Sequence, residues 1–341
     1  MQSDRKQLLE RWLAGALDSD AASLRPASTD ASFRQYWRLE HRGRSLIVMD
    51  APPQHGSSDG FVQLAQDLRS IGLNTPRVLA EDRALGFVLM SDLGSRHYLD
   101  VLDADNADRL YGDAIGALIR LQAASPPQGL PEYDETFLRR ELALFVEWLI
   151  DGLLGLDRSA AERALWDDAC ALLVASALEQ PRVCVHRDFH SRNLMLTETA
   201  NPGILDFQDA VVGPVTYDLV SLLKDCYIAW PRGRVETWAL GYFHLAVQSG
   251  ILGPDHEAPF LRWLDLMGAQ RHLKAAGIFA RLALRDAKPG YLADLPRTLG
   301  YVVDVAERYA DLAPLGAFVA ERVLPRLPAV TYEGDVVNRE P

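Results

Sequence analysis

The sequence predicts an α+β protein of two lobes, with a small N-terminal antiparallel sheet lobe and a larger, mostly helical C-terminal lobe. Short strand-like runs bounded by turn residues fill residues 33–90, and helical periodicity dominates from residue 103 onward. A chain of 341 residues is also longer than a single core usually fills. We therefore place the N-terminal lobe at residues 1–92 and the C-terminal lobe at residues 93–341.

The N-terminal lobe opens with an amphipathic helix, because apolar residues recur at helical spacing in MQSDRKQLLERWLAGAL. A turn at His41-Arg42-Gly43 separates two predicted strands, and a second pair of strands flanks the turn at Gly86. Between the two pairs, apolar spacing predicts a helix that ends at Gly72. The predicted strands are Phe33–Glu40, Arg44–Asp50, Arg77–Glu81 and Phe87–Met90, and the helix is Asp59–Ile71.

The C-terminal lobe is predicted to be helical on both sides of one strand-rich stretch, residues 183–218. Apolar residues recur every three or four positions, and Ser-Pro-Pro or Gly-containing breaks separate the runs. The predicted helices are Leu110–Leu121, Glu135–Leu149, Ala160–Leu178, Leu219–Tyr227, Arg234–Val247, His256–Leu284, Leu295–Tyr309 and Pro314–Leu327, followed by a polar and disordered end at Glu333–Pro341.

Composition narrows the classes of function. A formal net charge of −12 argues against a nucleic-acid partner, which a basic surface would bind. The N-terminus does not have the pattern of a signal peptide, and no run of 18 apolar residues predicts a membrane span. Cys170, Cys184 and Cys226 have neither a paired nor a metal-binding spacing, which favours a reducing compartment. We expect a cytoplasmic monomer.

The stretch from residue 183 to residue 218 has the spacing of a phosphoryl-transfer site. It contains H-R-D-x-x-x-x-N, the pattern of a kinase catalytic loop, with Asp188 and Asn193, and thirteen residues later Asp206 opens Asp-Phe-Gln. Phosphoryl transfer needs a proton acceptor and magnesium, which prefers oxygen ligands. We predict Asp188 as the base and Asn193 and Asp206 as metal ligands. A hairpin between Leu194–Leu196 and Ile204–Leu205 would bring the two ligands to one place.

These motifs resemble those of the aminoglycoside phosphotransferase and choline kinase group of small-molecule kinases, which share the protein-kinase fold. The similar segments are SFRQYWRL, SLIVMDAPP, GFVLMSDLG, HRDFHSRNLML and ILDFQDA. Within this group the chain resembles bacterial anomeric kinases of N-acetylmuramate and N-acetylglucosamine, which act in peptidoglycan recycling. The resemblance implies a protein-kinase-like fold, ATP and Mg²⁺ as cofactors, and an amino-sugar hydroxyl as phosphoryl acceptor.

The resemblance also implies where the nucleotide binds. In such kinases a loop covers the phosphates, which here corresponds to the segment just before the predicted strand Phe33–Glu40, and the segment that links the lobes reads the adenine edge. Here small hydroxyl residues take the place of the glycines of a protein-kinase loop. The implied nucleotide-binding residues are Ser32, Phe33, Arg34, Met49, Met90, Asp92 and Leu93.

One ion pair that is typical of kinases is missing. Met49 stands where a kinase has its phosphate-binding Lys, and Phe61 stands where the partner Glu would be. Replacing both members of a buried ion pair by apolar residues can be neutral, whereas removing one leaves an uncompensated charge. We expect Arg34, Arg38 or Arg44 to supply the missing cation.

The acceptor site is predicted from polar residues near the catalytic stretch and on later helices, although each could equally lie at the surface or at the edge of the core. The predicted sugar contacts are His190, Glu141, Glu147, Lys224, Asp225, Trp230, Arg271 and Lys274. The resemblance gives His186 and Asp218 structural roles in holding the catalytic loop.

Two other functions compete with the amino-sugar kinase. An aminoglycoside antibiotic kinase would share the motifs, and an acidic chain suits a polycationic drug. A nucleotide-binding pseudokinase would explain the missing Lys and Glu. It would not explain why Asp188, Asn193 and Asp206 are all present.

Overall fold

A computed structural model of the chain describes residues 2–18, 23–27, 34–55 and 58–327. The described residues fall into two compact units. The first unit comprises Met1–Pro131, Val183–Val212 and Leu240–Leu252, and the second comprises Glu132–Arg182, Gly213–Ala239 and Gly253–Pro341. The lobe boundary at residue 92 stays a prediction. The polar end at Glu333–Pro341, predicted to be disordered, lies outside the described residues.

The N-terminal part of the chain forms one five-stranded antiparallel sheet with the order β1-β2-β3-β5-β4. Its strands are β1 (Arg25–Pro26), β2 (Gln35–His41), β3 (Arg44–Asp50), β4 (Val78–Asp82) and β5 (Phe87–Ser91), and its helices are α1 (Gln2–Leu17) and α2 (Asp59–Ser70). The four predicted strands and both predicted helices are therefore confirmed, with ends that differ by one or two residues.

Helix α1 packs on this sheet because its apolar residues fall on one side. Leu9 and Leu13 are buried in one cluster with Leu39, Val48 and Phe87 of the strands. On the same side, the side chain of Arg5 donates hydrogen bonds to the buried carboxylate of Asp50 and to the carbonyl of Leu85. The helix is thus held to the sheet by apolar burial and by one partly buried ion pair.

The turn between β4 and β5 requires Gly86. Its φ of 72° lies in the left-handed region, and a Cβ at this position would lie 1.9 Å from the carbonyl oxygen of Ala51. Only glycine satisfies both conditions without strain.

The catalytic stretch forms short strands that are fixed by helices of the first unit. The helices are α3 (Tyr98–Val101) and α4 (Ala107–Ala123), and the strands are β6 (Arg182–Val185), β7 (Leu194–Met195), β8 (Gly203–Ile204) and β9 (Val211–Pro214). Strand β6 pairs with β9, and β7 pairs antiparallel with β8 with Leu194 opposite Ile204, as the hairpin prediction required. The side-chain amide of Asn201 anchors the connecting loop by donating to the carboxylate of Asp113 at 2.8 Å and to the Tyr98 hydroxyl at 2.7 Å.

The remainder of the described chain is mostly helical. Its α-helices are α5 (Glu135–Leu144), α6 (Ala160–Leu178), α7 (Tyr217–Leu223), α8 (Arg232–Gln248), α9 (Glu257–Asp286), α10 (Leu295–Ala306) and α11 (Ala313–Phe318). Two π-helices follow α5 and α11, at Phe145–Leu153 and Val319–Val323. Single 3₁₀ turns lie at Pro53–His55, Pro254–His256, Pro289–Asp294, Ala310–Leu312 and Leu324–Arg326.

Helix α9 is the centre of the second unit, where it contacts α5, α6, α7 and α10. Seventeen of its residues are buried, so it is apolar or internally paired on most of its circumference. Gly277 lets its backbone approach the end of α5, since a Cβ there would lie 2.3 Å from the carbonyl carbon of Leu144. At this point the single helix predicted for Glu135–Leu149 changes instead into the π-helix.

Within the described ranges, no helix is long and apolar enough to cross a membrane.

Candidate active site

The loop after β6 carries Asp188, the predicted base, and Asn193, a predicted metal ligand. Arg187 has a φ of 77°, a left-handed conformation that is uncommon for a residue with a side chain. The loop then closes on itself, because the His190 amide donates to the Asp188 carbonyl at 3.0 Å and the Asn193 amide donates to the His190 carbonyl at 2.9 Å. The Asn193 side chain adds a bond from Nδ2 to the Asp188 carbonyl at 3.0 Å. Asp188 and Asn193 are thereby fixed in one tight loop.

Asp206 is brought to the same place by the β7–β8 hairpin. The Leu205 amide donates to the Asn193 carbonyl at 3.0 Å, and Nδ2 of Asn193 lies 3.3 Å from Oδ2 of Asp206. Asp206 itself has a φ of 62°, a second strained position in this site. The structure therefore brings together the side chains of Asn193 and Asp206, which are thirteen residues apart in the sequence.

The surroundings of Asp206 raise the pKa of its carboxyl group. Part of its side chain is open to solvent. Even so, burial of the carboxyl group among protein atoms, together with the negative charge of Asp188, raises its pKa above the usual range. A cation bound between these carboxylates would relieve that repulsion, because an opposite charge favours the ionised form.

The donor atoms at this place suit magnesium. Asp206 offers a carboxylate, and both hydrogen bonds of the Asn193 side chain use Nδ2, so neither engages its carbonyl oxygen. The neighbouring Gln208 contributes a buried amide oxygen that has no hydrogen-bond partner in the described structure. Magnesium usually takes one or two carboxylates and completes its shell with water and phosphate oxygens. The described residues contain no group of three or more His, Cys, Asp or Glu side chains suited to a metal.

Two further contacts support the loop. The Asp188 amide donates to Nδ1 of the buried His186 at 3.3 Å, and the His186 ring packs edge-on against Phe189. The Arg187 guanidinium donates to the carbonyl of Asp209 at 3.3 Å, which ties the loop to the turn after Asp206. His186 therefore contacts the loop itself, and its structural role stays a prediction. Asp218 is fully buried in α7 of the second unit, and its role stays a prediction.

The predicted nucleotide-binding residues have mixed surroundings. Met49 and Met90 are buried in β3 and β5, while Arg34 and Leu93 are partly exposed. Ser32 and Phe33 lie outside the described residues. All seven assignments stay predictions.

Asp92 anchors the segment after β5. Its carboxylate accepts from Nε of Arg38 at 2.6 Å, from the Ser45 hydroxyl at 2.6 Å and from the Gly94 amide at 2.9 Å. Burial alone would raise the pKa of this carboxyl, but the three donors hold its pKa below the usual range. Among the proposed substitutes for the missing Lys, Arg38 is thus already paired. The sequence offered no signal for this contact, because its partners are 54 residues apart.

Several predicted sugar contacts lie in a buried network of the second unit. Glu141 pairs with Lys274 at 3.1 Å and also accepts a hydrogen bond from the Tyr133 hydroxyl. Lys274 donates to the Tyr217 hydroxyl at 2.8 Å. Glu141 is therefore buried rather than on a solvated face. Glu141 and Lys274 thus form an ion pair with each other. Their contact with a sugar stays a prediction.

A second buried ion pair joins Lys224 to Asp265 at 2.5 Å. Arg232 approaches the other oxygen of Asp265 at 2.9 Å. Burial by itself would raise the pKa of Asp265, yet the charges of Lys224 and Arg232 hold it below the usual range. Beside this pair, Asp225 is buried and accepts from the Tyr227 amide, and Arg271 donates to Sγ of Cys226 at 3.7 Å.

Of the last three predicted contacts, Glu147 and Trp230 are more exposed, whereas His190 is buried. Glu147 lies on the π-helix and lines a surface pocket of about 470 Å³, with Arg158, Arg163 and Trp166 among the other lining residues. Trp230 packs edge-on against Trp238, and Arg234 lies over both rings. His190 is buried in the catalytic loop. A sugar contact at each of these three positions stays a prediction.

Comparison with solved structures identifies the fold. The choline kinase LicA from Streptococcus pneumoniae superposes with a TM-score of 0.60 at 12% identity, covering 87% of this chain and 98% of that chain. The ADP-bound aminoglycoside phosphotransferase APH(2'')-Ib superposes with a TM-score of 0.58 at 15% identity, covering 88% and 98%. The predicted protein-kinase-like α+β fold, with an N-terminal antiparallel sheet and a mostly helical remainder, is confirmed.

Sequence relatives are much closer. The N-acetylmuramate/N-acetylglucosamine kinase of Pseudomonas aeruginosa is 50% identical over 326 residues, which cover 93% of this chain and 96% of that protein. The protein of the same name from Pseudomonas putida is 48% identical over 301 residues, covering 88% of each. The model of the phosphotransferase enzyme family matches residues 23–260, which is well over half of the chain. The chain belongs to the phosphotransferase enzyme family.

Proposed function

We propose that this protein is an ATP-dependent kinase that phosphorylates the anomeric hydroxyl of N-acetylmuramate and N-acetylglucosamine. The observation that carries the proposal is the convergence of Asp188, Asn193 and Asp206 in one loop cluster. Relatives at 48% and 50% identity carry the name N-acetylmuramate/N-acetylglucosamine kinase, which supports the choice of acceptor.

Asp188 is the group that accepts the proton of the acceptor hydroxyl. A carboxylate in this loop position orients the hydroxyl and takes its proton as the new bond to phosphorus forms. The two hydrogen bonds to the Asp188 carbonyl hold the backbone in place, so its side chain has a fixed starting point. Pre-set geometry of this kind lowers the entropic part of the barrier.

Asn193 and Asp206 would hold Mg²⁺, with the carbonyl oxygen of the first and the carboxylate of the second as ligands. When bound, the ion neutralises charge on the nucleotide phosphates. Burial and the negative charge of Asp188 raise the pKa of Asp206, and a cation held beside it would favour the ionised carboxylate. Asn193 and Asp206 therefore offer the oxygen ligands for Mg²⁺ and a local negative charge that attracts it.

On the acceptor side, we propose sugar contacts from the residues that the sequence singled out. His190 is the best placed of them, since it lies two residues after Asp188 and its amide donates to the Asp188 carbonyl. The others are Glu141, Glu147, Lys224, Asp225, Trp230, Arg271 and Lys274. We further propose a cytoplasmic monomer that acts in peptidoglycan recycling and binds ATP through the seven predicted nucleotide positions.

The direct test is a phosphorylation assay with a panel of acceptors. Purified protein is incubated with Mg²⁺·ATP and N-acetylmuramate, N-acetylglucosamine, glucose or kanamycin, and the product anomer is determined by ³¹P and ¹H NMR. We expect the 1-phosphate of one or both N-acetyl amino sugars. Phosphorylation of kanamycin alone would favour the antibiotic kinase, and no transfer to any acceptor would favour the pseudokinase.

A further inference from the structure

Gln208 donates a hydrogen bond to Asp206 that has no part in the functions proposed so far. Its Nε2 donates a hydrogen bond to Oδ1 of Asp206 at 2.6 Å. Asp206 therefore receives side-chain amide groups on both of its oxygens, because Nδ2 of Asn193 approaches Oδ2. The two amides fix the plane of the carboxylate.

This contact also fixes which way the Gln208 amide points. An ionised carboxylate only accepts hydrogen bonds, so the amide nitrogen and not the oxygen must face Asp206. The other end, Oε1, is shielded from solvent and has no hydrogen-bond donor among the described residues. Because a buried carbonyl oxygen without a hydrogen bond destabilises the folded chain, a donor is expected to bind Oε1.

The backbone around Gln208 is held firmly enough for such a role. The ring of Phe207 is fully buried against Phe61, and the Ala210 amide donates to the Phe207 carbonyl at 3.1 Å. The side chain therefore projects from a fixed turn. In the D-F-G form of this motif, the same position is glycine and has no side chain that could reach the metal ligand.

We propose that Gln208 is a positioning residue of the metal site. Its Nε2 holds the Asp206 carboxylate in the orientation that binds Mg²⁺, and its Oε1 accepts a hydrogen bond from a water molecule in the ion's coordination shell. Magnesium keeps several of its waters in protein sites, so a donor of this kind accompanies the ion. This inference rests on the proposed role of Asp206 as a metal ligand.

The experiment measures metal binding rather than turnover. ADP binding to the full-length protein is followed by isothermal titration calorimetry in EDTA and over a series of Mg²⁺ concentrations. Gln208→Met keeps the length of the side chain but removes both contacts, and Gln208→Asn withdraws the amide by one methylene. Gln63→Met is the matched control, because Gln63 also donates to an Asp carboxylate, that of Asp67 at 2.9 Å, on the exposed face of α2.

Removing a partner of a metal ligand typically lowers metal affinity 10–100-fold. We expect both Gln208 variants to raise the Mg²⁺ concentration at half-saturation by about tenfold or more, with ADP affinity in EDTA within about twofold of wild type. Gln63→Met should match wild type in both. A Gln208 variant with wild-type Mg²⁺ half-saturation overturns this proposal. ADP binding by wild type that does not respond to Mg²⁺ overturns instead the proposed metal site.

Discussion

Phe61 of α2 stacks on Phe207, with ring centroids 5.0 Å apart and planes inclined by 21°. Phe207 directly follows Asp206, and Phe61 is the residue that stands where the sequence comparison expects the Glu of a kinase ion pair. An apolar contact thus joins α2 to the candidate metal site through two fully or almost fully buried rings. Stacked aromatic pairs contribute about 0.5–1.5 kcal/mol beyond the burial of their area.

Because of this stack, we expect Phe61→Ala to change both the stability of the protein and its response to Mg²⁺. Truncation of a buried Phe costs about 3–5 kcal/mol in the free energy of unfolding. Because Phe207 adjoins Asp206, we also expect a higher Mg²⁺ concentration at half-saturation of ADP binding. Urea unfolding and calorimetry measure the two effects.

Phe145→Ala is the control for Phe61→Ala. Phe145 is also fully buried and stacks on another aromatic ring, that of Trp166, in the second unit. It should lose comparable stability and keep the wild-type response to Mg²⁺. Equal Mg²⁺ responses in the two variants would show that the Phe61 stack does not act on the metal site.

The buried pair of Glu141 and Lys274 predicts a strong coupling. Lys274→Met leaves the Glu141 carboxylate buried without its ion partner, which typically costs 3–5 kcal/mol, so we expect a loss of about that size. Glu141→Gln in the same chain removes the charge and still accepts the Tyr133 hydroxyl. The double variant should therefore regain at least about 1 kcal/mol over Lys274→Met alone. Additive losses in the unfolding cycle would contradict the coupling of the two side chains, whereas a raised KM for the sugar in Lys274→Met would support the proposed sugar contact.

His272 predicts a pH dependence of stability. It is fully buried, its Nε2 donates to the Lys224 carbonyl at 2.8 Å, and burial together with the charge of Arg271 lowers its pKa to about 3. The unfolded chain, with a pKa near 6.5, then binds the proton more readily than the folded chain does. The contribution of His272 to the free energy of unfolding is therefore complete above about pH 6.5. Between pH 6.5 and pH 3 this contribution falls by about 1.4 kcal/mol for each pH unit.

A Gln substitution isolates this effect, because its amide can also donate to the Lys224 carbonyl. Between pH 7 and pH 5, wild type should lose about 2 kcal/mol more in unfolding free energy than His272→Gln. The exposed His244→Gln serves as control and should follow wild type. Parallel pH profiles for wild type and His272→Gln would contradict a neutral, buried imidazole.

The sequence predicted the parts of the fold that have local signals. The strand pairs have clear turns, the hairpin before Asp206 has Asn-Pro-Gly, and the helix Ala160–Leu178 has a clear apolar periodicity. The convergence of Asn193 and Asp206 follows from that hairpin. These features depend on residues close together in the chain, so composition and spacing reveal them.

What the sequence did not reveal depends on distant partners. From the sequence alone, Glu141 looks like a charged residue on a solvated helix face. The structure pairs it with Lys274, which lies 133 residues later in the chain. The change from α5 to a π-helix accompanies the close approach of Gly277, which periodicity does not show. Gln208 gave a signal only through its place after Asp-Phe, where D-F-G has no side chain.

The proton-accepting role of Asp188 is the centre of the proposed function, and Asp188→Asn tests it most directly. Asn keeps the size of the side chain but cannot take up the hydroxyl proton, a role that contributes about 10²–10⁴-fold in rate. With N-acetylmuramate as acceptor, we predict that kcat falls at least about 100-fold while Mg²⁺·ADP still binds, and that Asp304→Asn, an exposed carboxylate of α10, keeps wild-type kcat. Undiminished phosphoryl transfer by Asp188→Asn would contradict the account.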